Sequence, residues 1–285
     1  MEHYDILIIG GGAAGISAAK ECRGKKVLLV DRKEKLGGVL LQCAHQGFGR
    51  NQTGTDYAAD LSEDFPADIQ LALNTTVLSV SEEKTALLSG RETGRREIGF
   101  DHLILAAGCR EIPMGALPIA GTRPKGIYTA GQMQERMNLH GYIPEGPAVI
   151  LGSGDLGLIM AKQLADAGLS VTLVEQKAAC GGMARNQRCL ECGAIGLICN
   201  VTILEVHGEK QLEGCTLSDG THIPCKSLLI AVGLQPEREL IFGLEDYDWI
   251  SLCGNCRAVQ PMVEAVVKEG KQTGISVCKK IGGSL

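Results

Sequence analysis

Residues 5–31 read DILIIGGGAAGISAAKECRGKKVLLVD. The apolar run ILII leads straight into Gly10-Gly11-Gly12-Ala13-Ala14-Gly15, a G-x-G-x-x-G spacing. A short run that is apolar at every position reads as a strand buried on both faces, as in a parallel sheet covered by helices. The stretch ISAAK is helical, and VLLV is a second buried strand ending at Asp31. In such a unit the first glycine makes the tight turn off the strand. The second lets the backbone approach a pyrophosphate, and the third lets the helix pack on the strand. The helix N-terminus then faces the phosphates with its partial positive charge. Asp31 lies 21 residues after Gly10, where an acid accepts ribose hydroxyls. Its neighbours Arg32 and Lys33, and the following Gly37, Gly38 and Val39, complete the candidate contacts of this first site.

Working outward, the pattern recurs. Residues 147–175 read PAVILGSGDLGLIMAKQLADAGLSVTLVE, with Gly152, Gly154, Asp155, Leu156 and Gly157 in the loop and Glu175 as the acid. Gly10 and Gly152 are 142 residues apart, as are Lys20 and Lys162; Asp31 and Glu175 are 144 apart. The double glycine at 37–38 is answered at 181–182, again 144 away. HLILAAG (102–108) is answered by SLLIAVG (227–233), but Gly108 and Gly233 are only 125 apart. By subtraction of these offsets, the first copy carries about 19 extra residues between its double glycine and its later strand. An extra segment after a dinucleotide loop points to a different or larger ligand there. Glu175 accepts from a ribose 2′-hydroxyl and repels a 2′-phosphate, which favours NAD over NADP. Asp155 places a negative charge near the second loop, which favours the alternative of a vacant second site. TTVLSV and TALLSG alternate around the charged turn RETGRRE, as meander strands do.

Composition bounds the rest. Of 285 residues, 38 are glycine, nearly twice the usual share of roughly 7%. Without a G-X-Y period this is not collagen, and 45% hydrophobic residues mark a globular chain long enough for two cored domains. A net charge of −5 and no basic stripe argue against a nucleic-acid partner. No apolar run reaches the roughly 18 residues of a membrane span, and the N-terminus lacks signal-peptide character, so membrane insertion is not expected and the expected location is cytoplasmic. Twelve scattered cysteines then read as buried thiols of a reducing compartment.

Two such copies, each closed by a strand ending in Ala-x-Gly, resemble the pyridine nucleotide-disulfide oxidoreductase superfamily. That resemblance implies an α/β fold of two Rossmann-like three-layer ββα domains, an FAD domain interrupted by an NAD domain. The expected boundaries are 1–113 and 240–285 for the FAD parts and 114–239 for the NAD part. It implies FAD and NAD(H) as cofactors. Val77, Ala107 and Gly108 join the flavin side, and Gly233 answers Gly108 in the second copy. SLCGN (251–255) is similar to the family's late flavin motif, with Gly254 and Asn255 at the ribityl chain and a helix from about Gln260 aimed at the flavin. GGVLLQCAHQGFG resembles a subgroup acting beside a glycerol-3-phosphate-dehydrogenase-type or amine/opine-oxidase-type subunit. Members of that subgroup often carry a further C-terminal domain, whereas this sequence runs 30 residues past Asn255.

Both usual dithiol placements of the superfamily are missing. After the first double glycine stands only Cys43, with His45, and residues 130–149 hold no cysteine. Cys43 and His45 are the candidate catalytic residues: one of them tunes or protonates the flavin, or Cys43 makes a thiolate contact, or both simply pack the loop and bind the ribityl chain. The pairs Cys189/Cys192 and Cys253/Cys256 are 61 residues apart at their inner cysteines, against roughly 15–20 in a zinc ribbon, so no metal is expected. The sequence therefore predicts an FAD-dependent oxidoreductase passing electrons between NAD(H) and a partner dehydrogenase subunit or acceptor. A stand-alone NADH-dependent, thioredoxin-reductase-like flavin reductase or oxidase, which could form a homo-oligomer, is the alternative. A flavin-binding structural subunit with a vacant NAD site is another.

Overall fold

The computed structural model describes residues 1–282. The chain divides into two compact units: Met1–Arg110 together with Gln235 onward, and Glu111–Leu234.

The first unit is built on strand Glu2–Ile9, which pairs in parallel with Val27–Val30 on one side and with the long strand Gly94–Leu105 on the other. Gln70–Ala72 extends one edge, and Ile250–Leu252 joins the far side of Gly94–Leu105. Because both faces are covered, apolar residues fill both. Leu7 and Ile9 face a cluster with Phe100 and Trp249, while Ile6 and Ile8 face one with Ala14, Ala18 and Val277. The first half of Gly94–Leu105 also closes an antiparallel meander with Thr75–Val80 and Thr85–Gly90, so one strand serves both layers.

The helical layer depends on small residues. The helix Ala13–Lys20 packs against the C-terminal helix Val263–Gly282. A Cβ added at Gly270 would sit 2.3 Å from the carbonyl oxygen of Ala14, and one at Gly274 would sit 2.4 Å from that of Ala18. Two glycines four apart thus let the backbones touch, a close approach a larger side chain forbids. This helix begins at Val263, three residues later than the sequence suggested. Pro261 lies in the bend before it, and the Gln260 N–H is taken by the Asn255 side chain (2.9 Å).

The second unit repeats the plan. A parallel sheet runs in the order Ile127–Thr129, Ser227–Ile230, Ala148–Leu151, Val171–Glu175, Ile195–Cys199, beside a four-stranded sheet. Gln70 and Ile195 open the matching edge strands and already stand 125 apart. The extra residues of the first copy therefore lie between Val39 and Ile69. They form a short helical turn (Gly38–Gln42), a hairpin (Gln46–Phe48 with Gln52–Thr53) and a helix (Gly54–Ser62).

Candidate functional site: two glycine loops

At the first loop Gly10 has φ +106°, and a Cβ there would lie 2.4 Å from the Ala106 carbonyl oxygen. A Cβ at Gly15 would lie 1.8 Å from the Gly10 carbonyl oxygen. These two glycines are fixed by packing. Gly12 is different: its added Cβ would meet nothing nearer than Gly38 Cα at 3.9 Å, so that side of the loop is open. Gly12 precedes a helix with no side-chain cap and no acidic residue in its first turn. An open glycine edge before an uncapped helix N-terminus, with Ala13 and Ala14 behind it, fits a pyrophosphate. Gly37 N–H donates to Gly11 O (2.7 Å), which ties the double glycine to the loop. Asp31 accepts the Gly11 N–H (2.5 Å) and the Lys33 N–H (2.7 Å). Arg32 is exposed, and Val39 is 63% exposed. Val77 lies on the meander strand whose first residue, Thr75, donates its N–H to Asp31 O (3.0 Å).

The late motif meets this loop. Gly254 has φ +69°, and a Cβ there would lie 2.6 Å from that of Ala14. Asn255 accepts the Gln260 N–H, and its amide donates to Cys109 Sγ (3.7 Å). Gly108 has φ +79° with open space where a Cβ would point, and Ala107 beside it is exposed. The structure thus brings Gly254 onto the first loop and sets Asn255 beside the segment after strand Gly94–Leu105.

The second loop has the same skeleton. Gly152 (φ +104°) would place a Cβ 2.4 Å from Ala231 O, Gly157 would place one 2.2 Å from Gly152 O, and Gly154 has nothing within 4 Å. Glu175 accepts the Ser153 N–H (2.9 Å) and the Lys177 N–H (2.9 Å), as Asp31 does from Gly11 and Lys33. Burial alone would raise its pKa, but the Ser153 hydroxyl and the two N–H groups outweigh it and hold Glu175 below the usual carboxylate range. Helix Asp155–Asp166 begins with Asp155, whose carboxylate accepts the Met183 N–H (2.8 Å) and the Asn186 amide (2.6 Å). Leu156 is half-buried on this helix, and Gly233 (φ +141°) is exposed after strand Ser227–Ile230.

Cys43 is buried at the end of the helical turn, its Sγ donating to Val39 O (3.3 Å). Burial pushes its thiol up to about 12, so at neutral pH it is not a thiolate. The half-buried His45 stacks against Phe48, ring centroids 5.1 Å apart. Cys253 and Cys256 are fully buried core thiols pushed upward by burial, and Cys256 donates to Leu105 O (2.9 Å). Among the described residues no group of three or more His, Cys, Asp or Glu could hold a metal ion. No described helix is long and apolar enough to cross a membrane.

Residues 4–250 match the pyridine nucleotide-disulphide oxidoreductase family. The chain belongs to that family. FAD and NAD(P)H are the cofactors of this family. An opine oxidase subunit of Agrobacterium tumefaciens (strain Ach5) is 32% identical over 182 residues, covering 59% of this chain and 36% of the relative. Hydrogen cyanide synthase subunit HcnB of Pseudomonas aeruginosa (strain PAO1) is 33% identical over 193 residues, 65% of this chain and 41% of the relative. The chain thus spans well under half the length of these relatives. Among solved structures, thioredoxin reductase of Lactococcus lactis superposes with a TM-score of 0.78 at 20% identity, covering 98% of this chain and 99% of that one. That likeness establishes the two-domain Rossmann fold.

The glycine turns at Gly10 and Gly152, the acids Asp31 and Glu175 beside them and the turn at Gly254 stand where the sequence put them. Sequence reasoning missed Ser153, whose hydroxyl bonds Glu175, because only the folded register brings residues 22 apart together. It also missed Gly270 and Gly274, whose four-residue spacing was visible as a signal of close helix packing.

Proposed function

We propose that this family member is an FAD-dependent oxidoreductase that passes electrons between NAD(H) and a partner subunit or acceptor. The first unit would hold FAD through Gly10, Gly12, Gly15, Asp31, Gly254 and Asn255. The second would hold NAD(H) through Gly152, Gly154, Gly157 and Glu175. Bound FAD would supply the redox chemistry, accepting a hydride equivalent and passing electrons on. The chain's own task is to bind and orient: helix N-termini face the phosphates, and the acids take ribose hydroxyls.

The observation that carries this reading is the pairing of two matched dinucleotide loops with a flavin-side segment whose one cysteine, Cys43, is buried as a thiol. A disulfide reductase needs a reactive dithiol, so a different acceptor is inferred. The names of the relatives, one a subunit of opine oxidase and the other a subunit of hydrogen cyanide synthase, support a partner subunit. Full-length likeness to a thioredoxin reductase favours the second reading, a stand-alone reductase or oxidase. We place the chain in the cytoplasm, on the strength of its twelve cysteines, scattered from Cys22 to Cys278 and read as reduced thiols. Anaerobic titration with NADH and NADPH, following the flavin's visible band, tests the proposal. Prompt bleaching by NADH is expected. No response to either nucleotide overturns the NAD assignment and leaves a flavin-binding subunit.

A further inference from the structure

The two acids that close the glycine loops differ in how many acceptor positions they have left. A carboxylate offers about four lone-pair positions, two on each oxygen. Asp31 Oδ2 takes the Gly11 N–H and Oδ1 takes the Lys33 N–H, so one position stays open on each oxygen. In the second unit Glu175 Oε1 takes the Lys177 N–H, but Oε2 takes both the N–H and the hydroxyl of Ser153, at 2.9 and 2.6 Å. Oε2 is therefore filled, and Oε1 keeps one open position.

The added donor is a hub. Ser153 is fully buried, and its Oγ also accepts the Gly181 N–H (3.0 Å), while Cys180 Sγ donates to Ser153 O (3.5 Å). In the first unit the same place is held by Gly11, which has no side chain, and the double glycine there is tied by backbone alone. A hydroxyl that donates to a carboxylate stabilises the charged form and fixes its plane.

We propose that Ser153 is a specificity-determining positioning residue of the second dinucleotide site: its hydroxyl holds Glu175 as a fixed carboxylate presenting one acceptor, on Oε1, to the ribose 2′-hydroxyl of NAD(H). A 2′-phosphate would meet a charge that can turn away only by breaking the Ser153 bond. Ser153 acts through Glu175 and touches no nucleotide. The inference rests on the NAD(H) reading of the second unit.

The test measures Kd for NADH and for NADPH by calorimetry on the flavin-loaded full chain, comparing the unaltered protein with Ser153→Ala, Ser153→Gly and Ser153→Thr. Ser153→Gly restores the residue of the first unit, so it keeps a loop known to fold in this chain. Loss of one hydrogen bond to a charged group is expected to lower the NADH-over-NADPH preference about tenfold in Ser153→Ala and Ser153→Gly, chiefly through tighter NADPH binding. Ser153→Thr, which keeps the hydroxyl, should retain most of the preference. A purely structural role would lower Tm and weaken both nucleotides together, leaving the ratio unmoved. An unchanged ratio in Ser153→Ala and Ser153→Gly, with NADH still bound, overturns the inference alone. Failure of the unaltered chain to bind NADH overturns both the inference and the reading it rests on.

Discussion

The two glycine loops share a backbone and differ in what stands at the start of the helix behind each. The first helix opens on Ala13, with no acid in its first turn. The second opens on Asp155, which straps residues 183–186 onto the loop through the Met183 N–H and the Asn186 amide. An acid in a first turn steadies its helix by roughly 0.3–1 kcal/mol, yet it opposes a phosphate approaching the same N–H groups. On the proposed reading, the first helix start suits a pyrophosphate better, and the second gives up part of that fit for internal order. The proposed roles, a resident flavin in the first unit and an exchanging nucleotide in the second, suit this asymmetry.

The sharpest break in the comparison comes from the third glycines. Gly15→Ala and Gly157→Ala each drive a Cβ into the carbonyl of the loop's first glycine, at 1.8 and 2.2 Å. Each should cost on the order of 4 kcal/mol, at the high end for a single substitution. The two should part in ligand content: Gly15→Ala yields protein without flavin, while Gly157→Ala keeps its flavin colour but loses NADH binding. Absorbance of the purified variants, with Tm alongside, decides it. Flavin lost from Gly157→Ala and kept by Gly15→Ala would exchange the roles of the units.

Next in size is a pH effect confined to the first unit. His102 and Ser227 hold equivalent places in the matched strands HLILAAG and SLLIAVG. His102 is buried, its Nε2 2.9 Å from the Ser251 hydroxyl, and burial, followed by the nearby Lys280 charge, lowers its pKa to about 4. The unfolded chain takes up this proton first as pH falls below roughly 6.5. Stability is therefore full above that pH and declines between about 6.5 and 4, by about 1.4 kcal/mol per unit and roughly 3 kcal/mol in all. Ser227, whose hydroxyl donates to Glu145 O (2.6 Å), brings no such limb to the second unit. Urea midpoints at pH 7, 5.5 and 4.5 should fall for the unaltered chain and flatten for His102→Gln. An equally steep fall in that variant would assign the acid sensitivity elsewhere.

Both loops, both acids and the insertion in the first copy were legible because they depend on local spacing: a glycine turn, a buried strand and an acid at its end. The Ser153 hydroxyl bond, the Asp155 strap and the His102–Ser251 contact were not. Each joins residues whose neighbourhood is set by sheet register and helix packing, and each uses a common residue type with no periodic signal. The candidate role of Cys43 shows the reverse. Its place beside the double glycine was visible, while its burial and the direction of its Sγ toward Val39 O depend on how Gly38–Gln42 turns.

A charge exchange between the loops probes the asymmetry more gently. Ala13→Asp places a carboxylate where the first helix has none, and Asp155→Ala removes it from the second. At about 1 kcal/mol each, FAD should bind about fivefold more weakly to the first variant, and NADH about fivefold more tightly to the second. Fluorescence titration of the two cofactors measures both. Unmoved affinities in both variants would mean that the acid at the helix start does not set the hold on phosphate.

The smallest effect is expected at the dithiol position, where the first unit has one cysteine and its matched loop in the second unit runs Gly181-Gly182-Met183. With its thiol pushed up to about 12 by burial, Cys43 remains protonated across the working range of an enzyme. Cys43→Ser should therefore leave the flavin's long-wavelength absorbance unchanged and alter NADH-driven bleaching by less than about twofold, while lowering Tm slightly, because a hydroxyl replaces a buried thiol. A thiolate contact predicts a long-wavelength band that grows between pH 7 and 9 in the unaltered chain and vanishes in Cys43→Ser. That band would restore Cys43 as a flavin partner, and it would show that binding the cofactor lowers the thiol's pKa by several units against its burial.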